Sequence, residues 1–114
     1  MFEFQKLIVY KKAKSFHKDS KQIIKNYSIT GIERDQLHRA SYSIPLNIAE
    51  GSGRYTNKDR RNFYIVSRSS VFECVSILEQ LEEDQEIPKS NYQEMLEKAD
   101  ELSRILYRMI KNLE

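Results

Sequence analysis

The sequence predicts an all-α fold, an antiparallel bundle of four helices in one domain spanning residues 1–114. Three observations carry this expectation. Four stretches space their apolar residues by three and four, the repeat of a helix face, and none alternates as a strand would. Three Gly and two Pro in 114 residues are too few for the many tight turns of a β fold. The connections between the four stretches are short, and short connections place consecutive helices side by side and antiparallel.

The first helix is expected from about Gln5 to Tyr27, with Val9, Ala13, Phe16, Ser20, Ile23 and Tyr27 on one face. Lys11, Lys12, Lys14, Lys18, Lys21 and Lys25 fall largely off that face and spread over the solvent side. The second helix is expected from about Ile32 to Glu50. Thr30 to Glu33 reads as a capping box, and Leu37, Ser41, Ile44 and Ile48 form the apolar stripe. Pro45 inside it removes a backbone donor and crowds the preceding turn, which predicts a kink. Gly51-Ser52-Gly53 then reads as a left-handed C-cap, or as a small anion nest beside Arg54.

The third helix is expected from about Asn57 to Asp84, capped by Thr56 or Asn57. Its stripe is Phe63, Ser67, Ser70, Cys74, Ile77 and Leu81, widened by Val66, Val71 and Leu78. Pro88 breaks the chain. The fourth helix follows from about Asn91, with Ser90 to Gln93 as its capping box. Tyr92, Met95, Ala99, Leu102, Leu106, Met109 and Leu113 form the cleanest repeat in the chain. By length the second helix should be the shortest and the third the longest. Ile8, Ile24, Tyr64, Phe72, Leu96 and Tyr107 lie off the stripes and suggest a second buried surface, hence an oligomer.

Composition narrows the function. A single cysteine, Cys74, can form neither an intrachain disulfide nor a zinc site alone. No apolar run approaches the ~18 residues of a membrane span, and the first residues lack a signal-peptide pattern, so a cytoplasmic setting without membrane contact is expected. Residues 1–61 hold 13 Lys/Arg against 6 Asp/Glu, a balance of +7, and residues 62–114 hold 6 against 11, a balance of −5. Such a split marks a nucleic-acid face or a self-complementary assembly, or simply helices of opposite charge attracting each other within one subunit.

Catalytic and cofactor patterns do not emerge. The glycines around Ser52 lack both the dinucleotide fingerprint and the phosphate-loop lysine. A di-metal carboxylate bundle needs two Glu-x-x-His motifs. His38 follows Asp35 by three, but His17 follows Lys14, so the set fails. Cys74 sits on a core stripe and reads as a small buried hydrophobe. The expectation is therefore no enzyme, no cofactor and no metal. Basic residues remain: Lys11, Lys14 and Lys18 on the first helix, and Arg54, Lys58, Arg60, Arg61 and Arg68 around the loop into the third, with Tyr55 and Tyr64 interleaved. Cations beside aromatics suit phosphates and stacked bases. Cations at a helix N-terminus also oppose the helix dipole, a small cost that favours a functional reason for them.

One stretch is distinctive: Gln36, Arg39-Ala40, Ser43-Ile44-Pro45, then Asn47-Ile48-Ala49-Glu50-Gly51 and Arg54. It resembles the signature of the bacterial 23S ribosomal RNA intervening-sequence proteins. Phe63 to Ser70 with Glu73, and Phe4, Leu7, Val9, Tyr10 and Ala13, resemble that family's third and first helices. The connection Asn26 to Gly31 is shorter than is usual there, and the family's Ala-x-Gly-Ser reads Ser67-Arg68-Ser69-Ser70. The resemblance implies an up-down-up-down bundle and a ring-like homo-oligomer, a pentamer. It also implies a kinship in fold with the accessory protein of diversity-generating retroelements, which binds reverse transcriptase and nucleic acid.

Physically, Arg39, Asn47, Glu50 and Glu73 lie on or beside apolar stripes, where polar groups must pair. A buried network of Arg39 with Glu50 or Glu73 is expected, with Asn47 bonding the carbonyl that Pro45 leaves free. The functional expectation is a non-catalytic oligomeric module that binds RNA, or else DNA, through Lys11, Lys14, Lys18, Arg54, Lys58, Arg60 and Arg61. The alternative is a protein-interaction scaffold, such as an accessory subunit for a reverse transcriptase or another enzyme.

Overall fold

The computed structural model describes residues 1–114. A 3-10 turn at Glu3–Lys6 leads into four helices: α1 (Ile8–Asn26), α2 (Gly31–Ser52), α3 (Asn57–Glu83) and α4 (Lys89–Asn112). There are no strands. Each helix packs against the next and α1 also packs against α4, which closes a four-helix bundle of 44 × 25 × 22 Å. Cross-helix partners run in opposite sequence order. Lys12, Asp19 and Tyr27 of α1 meet Glu101, Lys98 and Asn91 of α4. Likewise Arg39, Ser43 and Ser52 of α2 meet Glu73, Ser70 and Tyr64 of α3. These neighbours are therefore antiparallel.

The core is the set of stripes with local shifts. Val9, Ala13, Phe16 and Ile23 of α1, Leu37, Ile44 and Ile48 of α2, and Met95, Ala99, Leu102 and Leu106 of α4 are buried. On α3 the buried face is turned from the expected one. Tyr64 is buried in place of Phe63, Ile77 is half-buried, and Val66 is exposed. Ile29 and Ile87, each in a connection outside any stripe, complete the core. α1, with 19 residues, is the shortest helix instead of α2, with 22, because the 3-10 turn takes up residues expected in α1 and α2 runs on through Gly51 and Ser52.

Helix ends depart most from expectation. Thr56 does cap α3, accepting from Asp59 N–H at 3.1 Å. Thr30 makes no capping bond, and Gly31 instead turns the chain at φ +67°. α4 begins at Lys89 behind Pro88, so Ser90 lies within its first turn and caps nothing. Gly53 has φ −89° and is no left-handed cap. The left-handed caps fall at Ser28 (φ 53°) and Gln85 (φ 60°), which end α1 and α3. At each, the next N–H reaches back to a carbonyl in the last turn, Ile29 to Ile24 at 3.0 Å and Glu86 to Leu81 at 2.8 Å. Helical backbone continues on both sides of Pro45.

Gly51 instead serves close packing. A Cβ there would lie 2.7 Å from Tyr64 Cε1 and 3.0 Å from Phe63 Cβ, so its lack of a side chain lets α2 approach α3. Small side chains continue that seam. Ser67 Oγ donates to the Ile44 carbonyl at 2.9 Å, and the Ser43 and Ser70 hydroxyls lie 2.8 Å apart. No buried polar side-chain atom lacks a partner.

Candidate nucleic-acid interface

Lys11, Lys14 and Lys18 are exposed on α1. With Lys21 and Lys25, also exposed, they step along the helix by three, four, three and four. That repeat places all five on one stripe instead of spreading them over the solvent side. None of the five has a carboxylate within ion-pair distance. Lys12 lies on the other flank and pairs with Glu101 at 3.0 Å. Lys21 and Lys25 are thus the members that sequence reasoning left out of the site, although the spacing was there to be read.

Lys21 of the stripe reaches the groove between α1 and α2. There His17 Nδ1 lies 2.8 Å from Ser41 Oγ, and the rings of His17, His38 and Tyr42 cluster. Burial, then the nearby charges of Lys21 and His38, push the His17 pKa down to about 4. At neutral pH the imidazole is uncharged. Because α1 and α2 meet at His17 and Ser41 and run in opposite directions, Lys11 and Arg54 lie toward the same end of the bundle.

The cations of the α2–α3 turn do varied jobs. Arg54 lies 4.5 Å over the Phe63 ring and 3.6 Å from Glu50. Arg60 Nε donates to the Arg54 carbonyl at 2.6 Å and shapes the turn. Arg61 Nη1 donates to the Leu113 carbonyl at 3.0 Å, satisfying an open acceptor at the end of α4. Only Lys58 is exposed with no partner. Arg60 and Arg61 are therefore partly committed to the fold, and the seven expected contacts are not equivalent. Tyr55 is fully exposed, but Tyr64 is buried with its hydroxyl 3.0 Å from that of Ser52, so it offers no face for a base. The expected second surface loses Tyr64 for the same reason. The amides of Gly53 and Arg54 bond to the carbonyls of Glu50 and Gly51, which leaves no open nest there.

The polar network is smaller and wetter than expected. Arg39 pairs with Glu73 across α2 and α3 and donates to Gln36 at 2.8 Å. The Arg39 and Glu73 side chains are 59% and 38% exposed, so this is a surface pair and not a buried one. Glu50 pairs with Arg54 instead. Asn47 donates to the Ser43 carbonyl at 2.8 Å, not to Ser41, the acceptor that Pro45 leaves free.

Cys74 is buried, and burial first, with Glu73 adding, pushes its thiol up to about 12. No three His, Cys, Asp or Glu side chains converge as a metal would need. No helix is long and apolar enough to cross a membrane.

On the opposite side, α3 and α4 flank a groove of about 410 Å³ lined by Ile65, Arg68, Phe72 and Tyr107 among others. Arg68 lies over both the Phe72 and Tyr107 rings, at 4.9 and 5.4 Å, and its Nε donates to the Ser103 carbonyl.

Comparison with known proteins agrees with this geometry. No curated protein matches the chain. A crystal structure of a protein of unknown function from the S23 ribosomal protein family, from Bacteroides thetaiotaomicron VPI-5482, superposes with a TM-score of 0.85 at 21% identity, covering 91% of this chain and 99% of that one. At that identity the likeness speaks for the fold alone. The model of the 23S rRNA-intervening sequence protein family matches residues 5–108, nearly the whole chain, and the chain belongs to that family.

Proposed function

We propose that this chain is a non-catalytic helical module that associates with RNA through the lysine stripe of α1 and the adjoining α2–α3 turn, and that it works as a homo-oligomer. The observation that carries the reading is the stripe itself: five exposed lysines on one helix face, none neutralised by a carboxylate. Uncompensated like charge along a helix is mildly destabilising, whereas a phosphate backbone turns it into affinity by counterion release. The family description, which names 23S rRNA intervening sequences, favours RNA over DNA. Self-association is supported by the exposed Ile65, Phe72 and Tyr107 of the α3–α4 groove. On the resemblance to the family the assembly is a pentamer.

The test is fluorescence anisotropy of labelled RNA and DNA over a salt series. Five phosphate contacts on a single strand give a slope of log K against log salt of about −3.5. Each lysine changed to alanine should flatten that slope by about 0.7. Absence of binding at low salt sinks the RNA and DNA readings together. A protein-interaction scaffold, such as an accessory subunit for a reverse transcriptase, would then be the reading to pursue by pull-down. Sedimentation separates the assemblies, a pentamer having five times the 13.6 kDa chain mass.

A further inference from the structure

On the flank of the lysine stripe, beside Lys21, the α1–α2 groove holds an aromatic cluster. The His17 and His38 rings meet edge-on with centroids 5.1 Å apart, and Tyr42 lies 5.1 Å from His17 at an interplanar angle of 33°. The fully buried Ser41 fixes His17 from below through its hydroxyl. Tyr42 is 48% exposed, and its hydroxyl has no hydrogen-bond partner in the protein. A depression of about 300 Å³ on the far side of His38 is lined by Lys21, Ile24, Arg34, Asp35 and His38. The one carboxylate there, Asp35, is held by Arg34 at 2.9 Å. Because burial keeps His17 uncharged at neutral pH, it adds an aromatic surface to the stripe and not another cation.

We infer that this groove takes single-stranded RNA, with phosphates along Lys11, Lys14, Lys18, Lys21 and Lys25 and a base stacked on Tyr42. The inference rests on the RNA reading above and adds the form of the strand. A double helix hides its base faces, and an A-form duplex offers a protein its phosphates and 2′-hydroxyls, for which an aromatic cluster in a groove is of no use. An open strand presents both a charged backbone and free π faces. The dimensions agree. Lys11 to Lys25 spans about 21 Å at the helical rise, the length of about six stacked nucleotides of one strand.

The test uses the full chain with a labelled, unstructured single-stranded RNA of about 10 nucleotides and a duplex RNA of the same length. The single strand should bind tighter than the duplex. Tyr42→Ala should weaken single-strand binding by about 5- to 100-fold and leave the salt slope unchanged, since no phosphate contact is lost. Tyr42→Phe, which keeps the ring, should bind as the wild type does. Lys14→Ala with Lys18→Ala should do the reverse of Tyr42→Ala and flatten the slope by about 1.4. Equal affinity for duplex and single strand, or a Tyr42→Ala protein that binds normally, overturns the stacking inference, and the basic-face reading survives if the lysine variants still flatten the slope. A Tyr42→Phe loss as large as that of alanine also overturns it, because the hydroxyl and not the ring would then be the contact. Failure of the wild type to bind either RNA at low salt removes the underlying reading as well.

Discussion

Gly51→Ala should destabilise the fold, although alanine is the better helix former. The exchange by itself stabilises by at most about 1 kcal/mol, the value for a helix interior, because glycine has more backbone freedom to lose and Gly51 is the last residue but one of α2. Gly51 has an ordinary helical φ, so no strain relief or penalty enters. Against that stands the 2.7 Å approach of the new Cβ to Tyr64 Cε1 and the 3.0 Å approach to Phe63 Cβ. The tyrosine ring cannot swing aside freely, since it is buried and its hydroxyl is tied to Ser52. The Phe63 Cβ moves only with the α3 backbone. Overpacking of this kind costs about 1–3 kcal/mol, so the net expectation is a loss of up to about 2 kcal/mol. Urea unfolding followed by circular dichroism would show it as a lower midpoint with an unchanged slope. Gly53→Ala is the control. There the nearest atom is the Glu50 carbonyl oxygen at 3.6 Å, and φ is −89°, so alanine should be neutral or slightly stabilising. If Gly51→Ala also stabilised by about 1 kcal/mol, the close approach of α2 to α3 would not be what requires glycine.

Gln85→Gly should stabilise by about 1 kcal/mol in the same assay, because Gln85 holds φ 60° with a side chain that disfavours it; a loss of stability would refute a strained left-handed cap. Arg39→Ala should cost only about 0.5–1 kcal/mol, the range of an exposed ion pair, and a loss above about 3 kcal/mol would restore the buried network in place of the surface pair. His17 contributes a pH dependence. Its folded pKa is near 4 against 6.5 unfolded, so between those values the unfolded chain binds the extra proton and stability rises with pH. The full shift would correspond to about 3 kcal/mol, which solvent around the half-exposed ring reduces to about 1–2 kcal/mol. His17→Gln should flatten the stability profile between pH 4 and 6.5 relative to the wild type, and identical profiles would refute the shift.

Periodicity was a good guide where a helix has one face to bury, as α4 does from Met95 to Leu106. It was a poorer guide on α3, where Phe63 is the more apolar of two neighbours and yet Tyr64 is the one buried. The buried Tyr64 ring packs against Gly51 across the seam and bonds Ser52, tertiary facts no single helix contains. Caps were misplaced for a related reason. Glycine marks a left-handed residue only when nothing else needs its missing side chain. Here Gly51 is taken by packing, and the left-handed positions at helix C-termini fall to Ser28 and Gln85, which carry no glycine signal. Of the candidate site, Lys11, Lys14 and Lys18 were legible, and Lys21 and Lys25 belonged to the same repeat. The bonds that Arg60 and Arg61 make to the carbonyls of Arg54 and Leu113 were not legible, because they depend on where a turn and a distant helix end meet.

One explanation of the uneven charge, attraction between opposite halves of a single subunit, can be tested on the ion pairs. If opposite halves served only to attract each other within the subunit, the cations of residues 1–61 should be matched by carboxylates of residues 62–114. Only Lys12 with Glu101 and Arg39 with Glu73 are such pairs. Lys6, Arg34 and Arg54 pair with acids of their own half. Lys11, Lys14, Lys18, Lys21, Lys25, Lys58, Arg60 and Arg61 pair with none, so eight of the 13 cations have no carboxylate partner. Internal attraction thus accounts for a small part of the excess. Five of those eight share one stripe beside an aromatic groove, which is the arrangement a polyanion with exposed bases would recognise.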